Sequence, residues 1–368
     1  MTLPLEPPLK PMLAKSVARI PTGSYAYEPK WDGFRCIVFR DGDSVELYAR
    51  STKPLTRYFP EVARAIAESA LPERCVLDGE VVIVHEGRLE FEYLLNRIHP
   101  AESRVNLLAT ETPASYIAFD LLADGDDSLL QTPYARRRER LAEIFGAVEP
   151  PVYLTPVTLD ADEANAWFDQ FEGAGLDGVV AKLVDSTYAP GERSMLKIKH
   201  TRTADVVVAG YRLHKTSTPD KPLLGSLLLG LYDDRGTLQH VGVSASFRAE
   251  VRAEMIGLLD KIRTPMAEHP WGAYAGEDSS DAANTAGDRR PGGESRWNAG
   301  KDLSFVPLEP RLVAEVGYDH LEGTRFRHTT QFKRWRTDRD PESCTYEQLE
   351  EVVSYDLSDV LRSAGKQG

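Results

Sequence analysis

Cysteine is scarce: Cys36, Cys75 and Cys344 are the only three in 368 residues. They lie far apart and match neither a disulfide framework nor a zinc-ligand spacing, which points to a reducing compartment. A signal peptide is missing too. The opening MTLPLEPPLKPML has three prolines within its first eight residues and no apolar core, and no later run approaches a membrane span. Excess positive charge is absent: the net charge of −13 excludes a protein that coats nucleic acid through bulk charge. Neither G-x-x-x-x-G-K-[ST] nor a G-x-G-x-x-G after a strand occurs, so a bound nucleotide must be held by side chains. There is no internal repeat.

What is present suits two domains. In the first half, FRCIVFR and SVELYAR flank an Asp-Gly turn, and CVLDGEVVIVHEGRLEF reads as a second hairpin turning at Glu86-Gly87. YFPEVARAIAESAL, ARRRERLAEIFGA and DEANAWFDQFEGAG have helical apolar spacing, while SYIAFDLL, DGVVAKLV and MLKIKH are strand-like. Hairpins mixed with helices predict an antiparallel α+β domain over residues 1–200. From 201 to 368, ADVVVAGYRL, LGSLLLGLYD, LQHVGVSA and RLVAEVGY with a helix at about 247–262 predict a small β-barrel of the oligonucleotide-binding type. The Gly-, Ser- and Asp-rich stretch at about 272–302 reads as a mobile loop. Residues 345–362 read as an amphipathic helix with Leu349, Val352, Val353, Leu357, Val360 and Leu361 on one face. Locally, Arg325 to Arg339 carries six basic side chains and one acid, Asp338, the best place for a polyanion contact.

The candidate nucleotide-holding cations are Lys30, Lys182, Lys197 and Lys199. In LKIKH, Lys197 and Lys199 project to one strand face, a like-charge pair that a phosphate would justify. For Lys30 to act as a nucleophile its amine must lose its proton, which at neutral pH costs about 4–5 kcal/mol. Nearby cations reduce that cost. Asp32, Glu80 and Asp177, all in strand-turn contexts, are the acids available for a metal and a sugar.

Lys30-x-Asp32-Gly33-x-Arg35, Ala49-Arg50-Ser51, Asp78-Gly79-Glu80, Ala118-Phe119-Asp120, Asp177-Gly178-Val179-Val180 and Lys197-Ile198-Lys199 follow one another along the chain. In kind and order they resemble the motifs of the covalent nucleotidyltransferases, a group comprising ATP-dependent DNA ligases, RNA ligases and mRNA capping enzymes. EPKWDGFR, GVVAKL and AEVGY look most like the small C-type bacterial ATP-dependent DNA ligases. The resemblance implies an antiparallel-sheet nucleotidyltransferase (ATP-grasp-like) domain followed by an OB-fold barrel. It implies ATP as AMP donor with Mg²⁺ or Mn²⁺. Lys30 would take the adenylate, with Asp32 and Lys199 as the other catalytic groups. Glu28 would read the adenine amino group, Glu80 the ribose hydroxyl, and Phe119 would stack on the base. Arg35 and Arg50 would contact the ribose or nick phosphates, Arg193 and Lys197 the nucleotide, and Lys199 the α-phosphate. Arg336, Asp338 and Arg339 fall where the family orients pyrophosphate. Glu80 and Asp177 are the metal candidates, although many relatives have glutamate at 177. Aspartate shortens the reach by about 1.5 Å, so the backbone must sit closer or a water must intervene.

The expected activity is sealing of 5′-phosphate/3′-hydroxyl nicks in duplex DNA through lysyl-AMP, in DNA repair. RNA ligation, capping-type guanylyl transfer and a non-catalytic OB-type nucleic-acid binder are the rivals. The resemblance further implies a monomer in the bacterial cytoplasm at the nucleoid, a repair polymerase as companion, and no room for an encircling domain ahead of Lys30.

Overall fold

Strands whose side chains alternate between two apolar faces assemble the first half into stacked sheets. The computed structural model describes residues 2–200, 202–272, 304–319, 321–349 and Leu357. Two compact units result, Met1–His200 with Leu357, and Thr201–Glu351.

In the first unit one sheet runs in the order Val152–Leu154, Ser115–Asp124, Arg74–Val82, Phe34–Asp41, Ser44–Ala49, with Asp127–Ser128 beside Ser115–Asp124. A four-stranded sheet runs Leu13–Ser16, Arg193–Ile198, Val179–Leu183, Tyr25–Pro29. Pairing is mostly antiparallel, as expected. However, Leu13–Ser16 lies parallel to Arg193–Ile198, and Val152–Leu154 parallel to Ser115–Asp124. Both exceptions are edge strands reached by long connections, which parallel pairing requires.

The Asp-Gly hairpin forms as expected, with Gly42 at φ 64° between its strands. The second hairpin is only a two-residue ribbon, Val84–His85 against Arg88–Leu89, because Arg74–Val82 is already paired on both sides. The three expected helices lie at Pro60–Glu68, Tyr134–Ile144 and Ala161–Gln170. Phe91–Arg97 and Glu102–Glu111 are additional, and their apolar stripes are thin: the buried apolar residues are Leu94 in one, Val105 and Leu108 in the other.

Along Phe34–Asp41, Cys36 and Val38 face a core shared with helical Val62, Ile66 and Leu141, while Ile37 and Phe39 face Met195 and Tyr188. The sheets therefore stack through Ile37, Phe39, Val76, Leu122 and Met195. Burying one such side chain contributes about 1.5–3 kcal/mol. On the far face of the four-stranded sheet, Tyr27, Val179, Ala181 and Ile198 pack on Ala164 of Ala161–Gln170.

The second unit is a five-stranded antiparallel sheet in the order Leu238–Ser244, Leu224–Tyr232, Arg202–Leu213, Val306–Tyr318, Gln331–Trp335. Its ends meet: Thr330 N–H donates to the Val243 carbonyl (2.9 Å) and the Ser244 hydroxyl to the Thr330 carbonyl (3.0 Å). That junction closes the expected barrel. Register shifts at Val208/Gly210 and Leu229/Gly230 help it curve. The helix expected at about 247–262 is Ala249–Leu259 continued by Asp260–Ile262.

The expected helix does not begin at 345. Tyr346–Gln348 makes a single 3₁₀ turn and Leu349 is extended. The turn is held to a strand, since Asp205 N–H donates to Gln348 Oε1 (2.8 Å) and Gln348 Nε2 donates to the Asp205 carbonyl (3.0 Å). Beyond Leu349 that helix lies outside the described residues apart from Leu357, as does the loop at 272–302 apart from Gly272. No helix among the described residues is long and apolar enough to cross a membrane.

Buried charge also holds the first unit together. Arg137, fully buried, donates to both oxygens of Asp120 (2.7 and 3.1 Å) and to the carbonyls of Thr132 and Ser186. Arg137→Met removes the guanidinium that pairs with the buried Asp120 carboxylate and is expected to lower stability by about 3–5 kcal/mol in urea unfolding. A loss below about 1 kcal/mol would contradict this view of the pair.

Candidate active site

Where apolar contact between the stacked sheets ends, a cavity of about 170 Å³ opens. Register explains why its residues meet. Glu28 lies opposite Val180, and Val180 opposite Lys197, forming one row across the four-stranded sheet. Lys182 and Met195 flank that row on the same face. On the other sheet Arg35 lies opposite Glu80, and Phe119 projects from the neighbouring strand into the same space.

Lys30 follows the strand Tyr25–Pro29 and is fixed by two backbone hydrogen bonds. Its N–H donates to the Gly178 carbonyl (2.8 Å), and Asp177 N–H donates to its carbonyl (2.9 Å). Gly178 has φ +128°, and an added Cβ would sit 2.0 Å from the Ile198 carbonyl, so glycine is required for this approach. Gly33 is similarly confined, with Val81 O 2.3 Å from an added Cβ. The Lys30 amine lies 2.5 Å from Asp177 Oδ2, and the Lys199 amine lies 2.7 Å from the same oxygen. Lys197 completes the cationic group. Burial, then the neighbouring charges of Lys199 and Lys30, push its amine below the usual lysine range, with Asp177 opposing.

Glu80 is confined by the cavity walls, and this desolvation pushes its carboxyl up to about 8 against the pull of Arg35 and Lys30, with Asp32 and Asp78 adding to the rise. Arg35 is less available than expected. Its Nε and Nη2 donate to Asp78 at 2.6 Å each, and Nη2 also reaches the Met12 carbonyl (3.3 Å). Its guanidinium carbon lies 4.4 Å from the Phe119 ring centroid. Tyr188 O–H donates to Asp78 as well (2.5 Å). Burial weakens the guanidinium's hold on its proton, but Asp78 more than reverses this.

Glu28 is 3% exposed, and the Tyr134 hydroxyl donates to its Oε1 (2.5 Å). Lys182 donates to its Oε1 (3.1 Å) and to the Phe119 carbonyl (2.9 Å) and forms an ion pair with its Oε2 (2.8 Å).

The cavity thus gathers Glu28, Lys30, Arg35, Arg50, Glu80, Phe119 and Lys197, with Asp177 and Lys199 joined to Lys30 by ion pairs. Asp32 lines an adjoining hollow of about 620 Å³ together with Arg50, Ser51 and Glu80. Arg193 shares the strand face of Met195 and Lys197 but stands exposed at the strand start, outside the lining residues. Lys199 lies just past the strand end rather than within it. Arg336, Asp338 and Arg339 lie in the second unit. There Arg336 donates to Asp205 (2.7 and 2.9 Å) and to Asp338 (2.8 and 2.9 Å), and Arg339 lies 3.7 Å from Asp205.

Sequence reasoning read Lys182 as a candidate nucleotide-holding cation rather than as the partner of Glu28, gave Asp78 no role of its own within its motif, and missed Tyr134 and Tyr188. Period two was the available signal, since Lys182 is two residues from Val180 and Asp78 two from Glu80. Among the described residues no three Asp, Glu, His or Cys side chains group as a metal cage. Glu80 and Asp177 instead fit the mode in which one or two carboxylates hold Mg²⁺ jointly with substrate phosphates.

Residues 11–199 match the ATP dependent DNA ligase domain, and residues 220–339 the ATP dependent DNA ligase C terminal region. The chain is 53% identical over 367 residues to DNA ligase C of Mycobacterium tuberculosis, covering 98% of this chain and 99% of that one. It is 54% identical over 351 residues to DNA ligase C2 of Mycolicibacterium smegmatis, covering 95% and 96%. Among solved structures a Lig E DNA ligase shares the fold, with TM-score 0.51 and 15% identity over 89% of this chain and 99% of that one.

The elevated Glu80 carboxyl has a measurable consequence. Its value of about 8 exceeds the usual 4.5, so the folded protein holds a proton that the unfolded chain releases. The associated stability is complete below pH 4.5 and is lost as pH rises through 8. Glu80→Gln removes that loss. Relative to wild type, the nucleotide- and metal-free variant should gain about 1–3 kcal/mol between pH 5 and 8 in denaturant titrations. A pH-independent difference would refute the assignment.

Proposed function

Because this chain belongs to the ATP-dependent DNA ligases, we propose that Lys30 is its covalent nucleophile and that the cavity around it is the adenylate site. The reaction is the ATP-dependent sealing of 5′-phosphate/3′-hydroxyl nicks in duplex DNA through an enzyme-bound adenylate. The observation that carries the residue assignment is the seat of Lys30, its amine 2.5 Å from Asp177 in the cavity lined by Glu28, Glu80, Phe119 and Lys197.

In the first step the Lys30 amine attacks the α-phosphorus. A nitrogen–phosphorus bond forms, the bond to the β-phosphate oxygen breaks, and pyrophosphate leaves with the electron pair. Asp177 is the nearest acceptor for the proton the amine gives up. Next, the 5′-phosphate of the nick attacks the lysyl-AMP phosphorus and releases Lys30. Finally the 3′-hydroxyl attacks the 5′-phosphorus and AMP departs. Displacement at phosphorus depends on positioning and charge neutralisation, which Lys197, Lys199 and Arg50 supply. Mg²⁺ or Mn²⁺, held by Asp177 and Glu80 with the triphosphate, would add to that neutralisation.

Glu28 meets the adenine amino group, Phe119 the base and Glu80 the ribose. Arg35 is positioned to support Phe119, with Nη1, which has no partner among the described residues, as its atom for ribose or phosphate. Asp32 and Arg50 serve the adjoining hollow, and Arg193 its rim. Arg336 and Arg339, helped by Asp338, take pyrophosphate once their bonds to Asp205 are exchanged for phosphate oxygens. A monomer acting in the cell in DNA repair, beside a polymerase, completes the proposal.

The test uses ATP labelled at the α-phosphate with Mg²⁺ and no DNA. Label should remain on the denatured wild-type protein and be lost from Lys30→Ala by at least about 1,000-fold, together with nick sealing. Retention of label by the variant would place the nucleophile elsewhere.

A further inference from the structure

The side chains behind Glu28 are committed to it. The Lys182 amine donates to Glu28 Oε1 (3.1 Å) and the Phe119 carbonyl (2.9 Å) and forms an ion pair with Glu28 Oε2 (2.8 Å). The single O–H of Tyr134 goes to Glu28 Oε1 (2.5 Å). A carboxylate offers about four lone-pair sites, and both of those on Oε1 are taken by these hydrogen bonds. Oε2, held in the ion pair, is the oxygen that Glu28 can present to the cavity it lines. Lys182 and Glu28 are almost fully buried, at 2% and 3% exposure. Asp120 lies 4.0 Å from the Lys182 amine and is itself tied to Arg137. The carboxylate thus has little room to turn.

We infer that Lys182 and Tyr134 are positioning residues that set base selectivity, fixing Glu28 as an acceptor that admits a purine with a 6-amino group and rejects one with a 6-oxo group. This rests on the adenylate-site reading above and adds the means by which the base is chosen. A 6-amino group donates to Oε2. A 6-oxo group in the same orientation sets its oxygen against that carboxylate oxygen, while the Tyr134 hydroxyl and the Lys182 amine stay committed to Glu28. A buried polar atom left unpaired in this way weakens binding by roughly 10- to 100-fold. Removing Lys182 releases the carboxylate from the contacts that fix it, so that it can turn its oxygens away from a 6-oxo group. Removing the Tyr134 hydroxyl frees Oε1 and loosens the orientation.

The discriminating pair of substrates is ATP and ITP, which share ribose and triphosphate and differ at the purine 6-position. Formation of covalent nucleotide adduct is followed without DNA, using α-labelled nucleotides, for wild type, Lys182→Met and Tyr134→Phe. Wild type should favour ATP by on the order of 100-fold in kcat/KM. In Lys182→Met that preference should fall at least about tenfold, and in Tyr134→Phe about threefold. Tyr134→Phe keeps its ring in the core, so it decides the matter should Lys182→Met fail to fold. An unchanged ATP:ITP ratio in the folded variants, or equal loss for both nucleotides, would overturn the inference while leaving Lys30 as nucleophile. If wild type forms no adduct with ATP, the adenylate-site reading fails, and this inference with it.

Discussion

One carboxylate oxygen, Asp177 Oδ2, lies within ion-pair distance of two ammonium groups, those of Lys30 and Lys199. A single negative charge cannot balance both, and Lys197 adds a third cation to the same space. On the reading proposed above, a polyphosphate is the ligand that this cationic cluster receives. In the proposed reaction phosphate oxygens compete for the cations and Asp177 exchanges partners, so that arrival of the nucleotide loosens the contact between Asp177 and the Lys30 amine.

Around this exchangeable centre the walls are fixed. Arg35, Asp78 and Tyr188 form one buried network, and Glu28, Lys182 and Tyr134 another, which approaches Asp120 and Arg137. Buried charges are tolerable because their hydrogen-bonding capacity is met from several elements at once. Such networks hold position better than they add stability. Arg50 and Arg193, exposed at the margin, show no comparable restraint among the described residues. The division follows from strand geometry: side chains two residues apart point inward together, so one strand supplies both a wall residue and its support.

Much of this was legible in the sequence because it is local. The Asp-Gly turn, the period-two strands, the three helices with broad apolar faces and the order of the charged motifs all lie within short windows. What was not legible depends on pairing across distance. Lys182 meets Glu28 over 154 positions, Arg35 meets Asp78 over 43, and Arg336 meets Asp205 over 131. No window contains both partners, and strand register decides which residues face each other. For the same reason Arg35 and Arg336 read as cations ready for phosphate, whereas both have carboxylates on their forks. The two parallel edge strands and the 3₁₀ turn at Tyr346–Gln348 escaped for a related reason, since each is set by what it docks against.

The aspartate at position 177 shows how backbone placement can replace side-chain length. Aspartate reaches about 1.5 Å less than glutamate. Here the backbone carries the short side chain directly to Lys30. Asp177 N–H donates to the Lys30 carbonyl, Lys30 N–H donates to the Gly178 carbonyl, and Gly178 adopts φ +128° with its Cα pressed against Ile198. The two segments are locked edge to edge, and the carboxylate of the shorter residue reaches the amine at 2.5 Å with no intervening atom. A longer side chain in this backbone would have to fold back to make the same contact, giving up rotamer freedom. Aspartate and the glycine beside it are therefore one structural solution: the glycine permits the close approach, and the close approach makes the short acid sufficient.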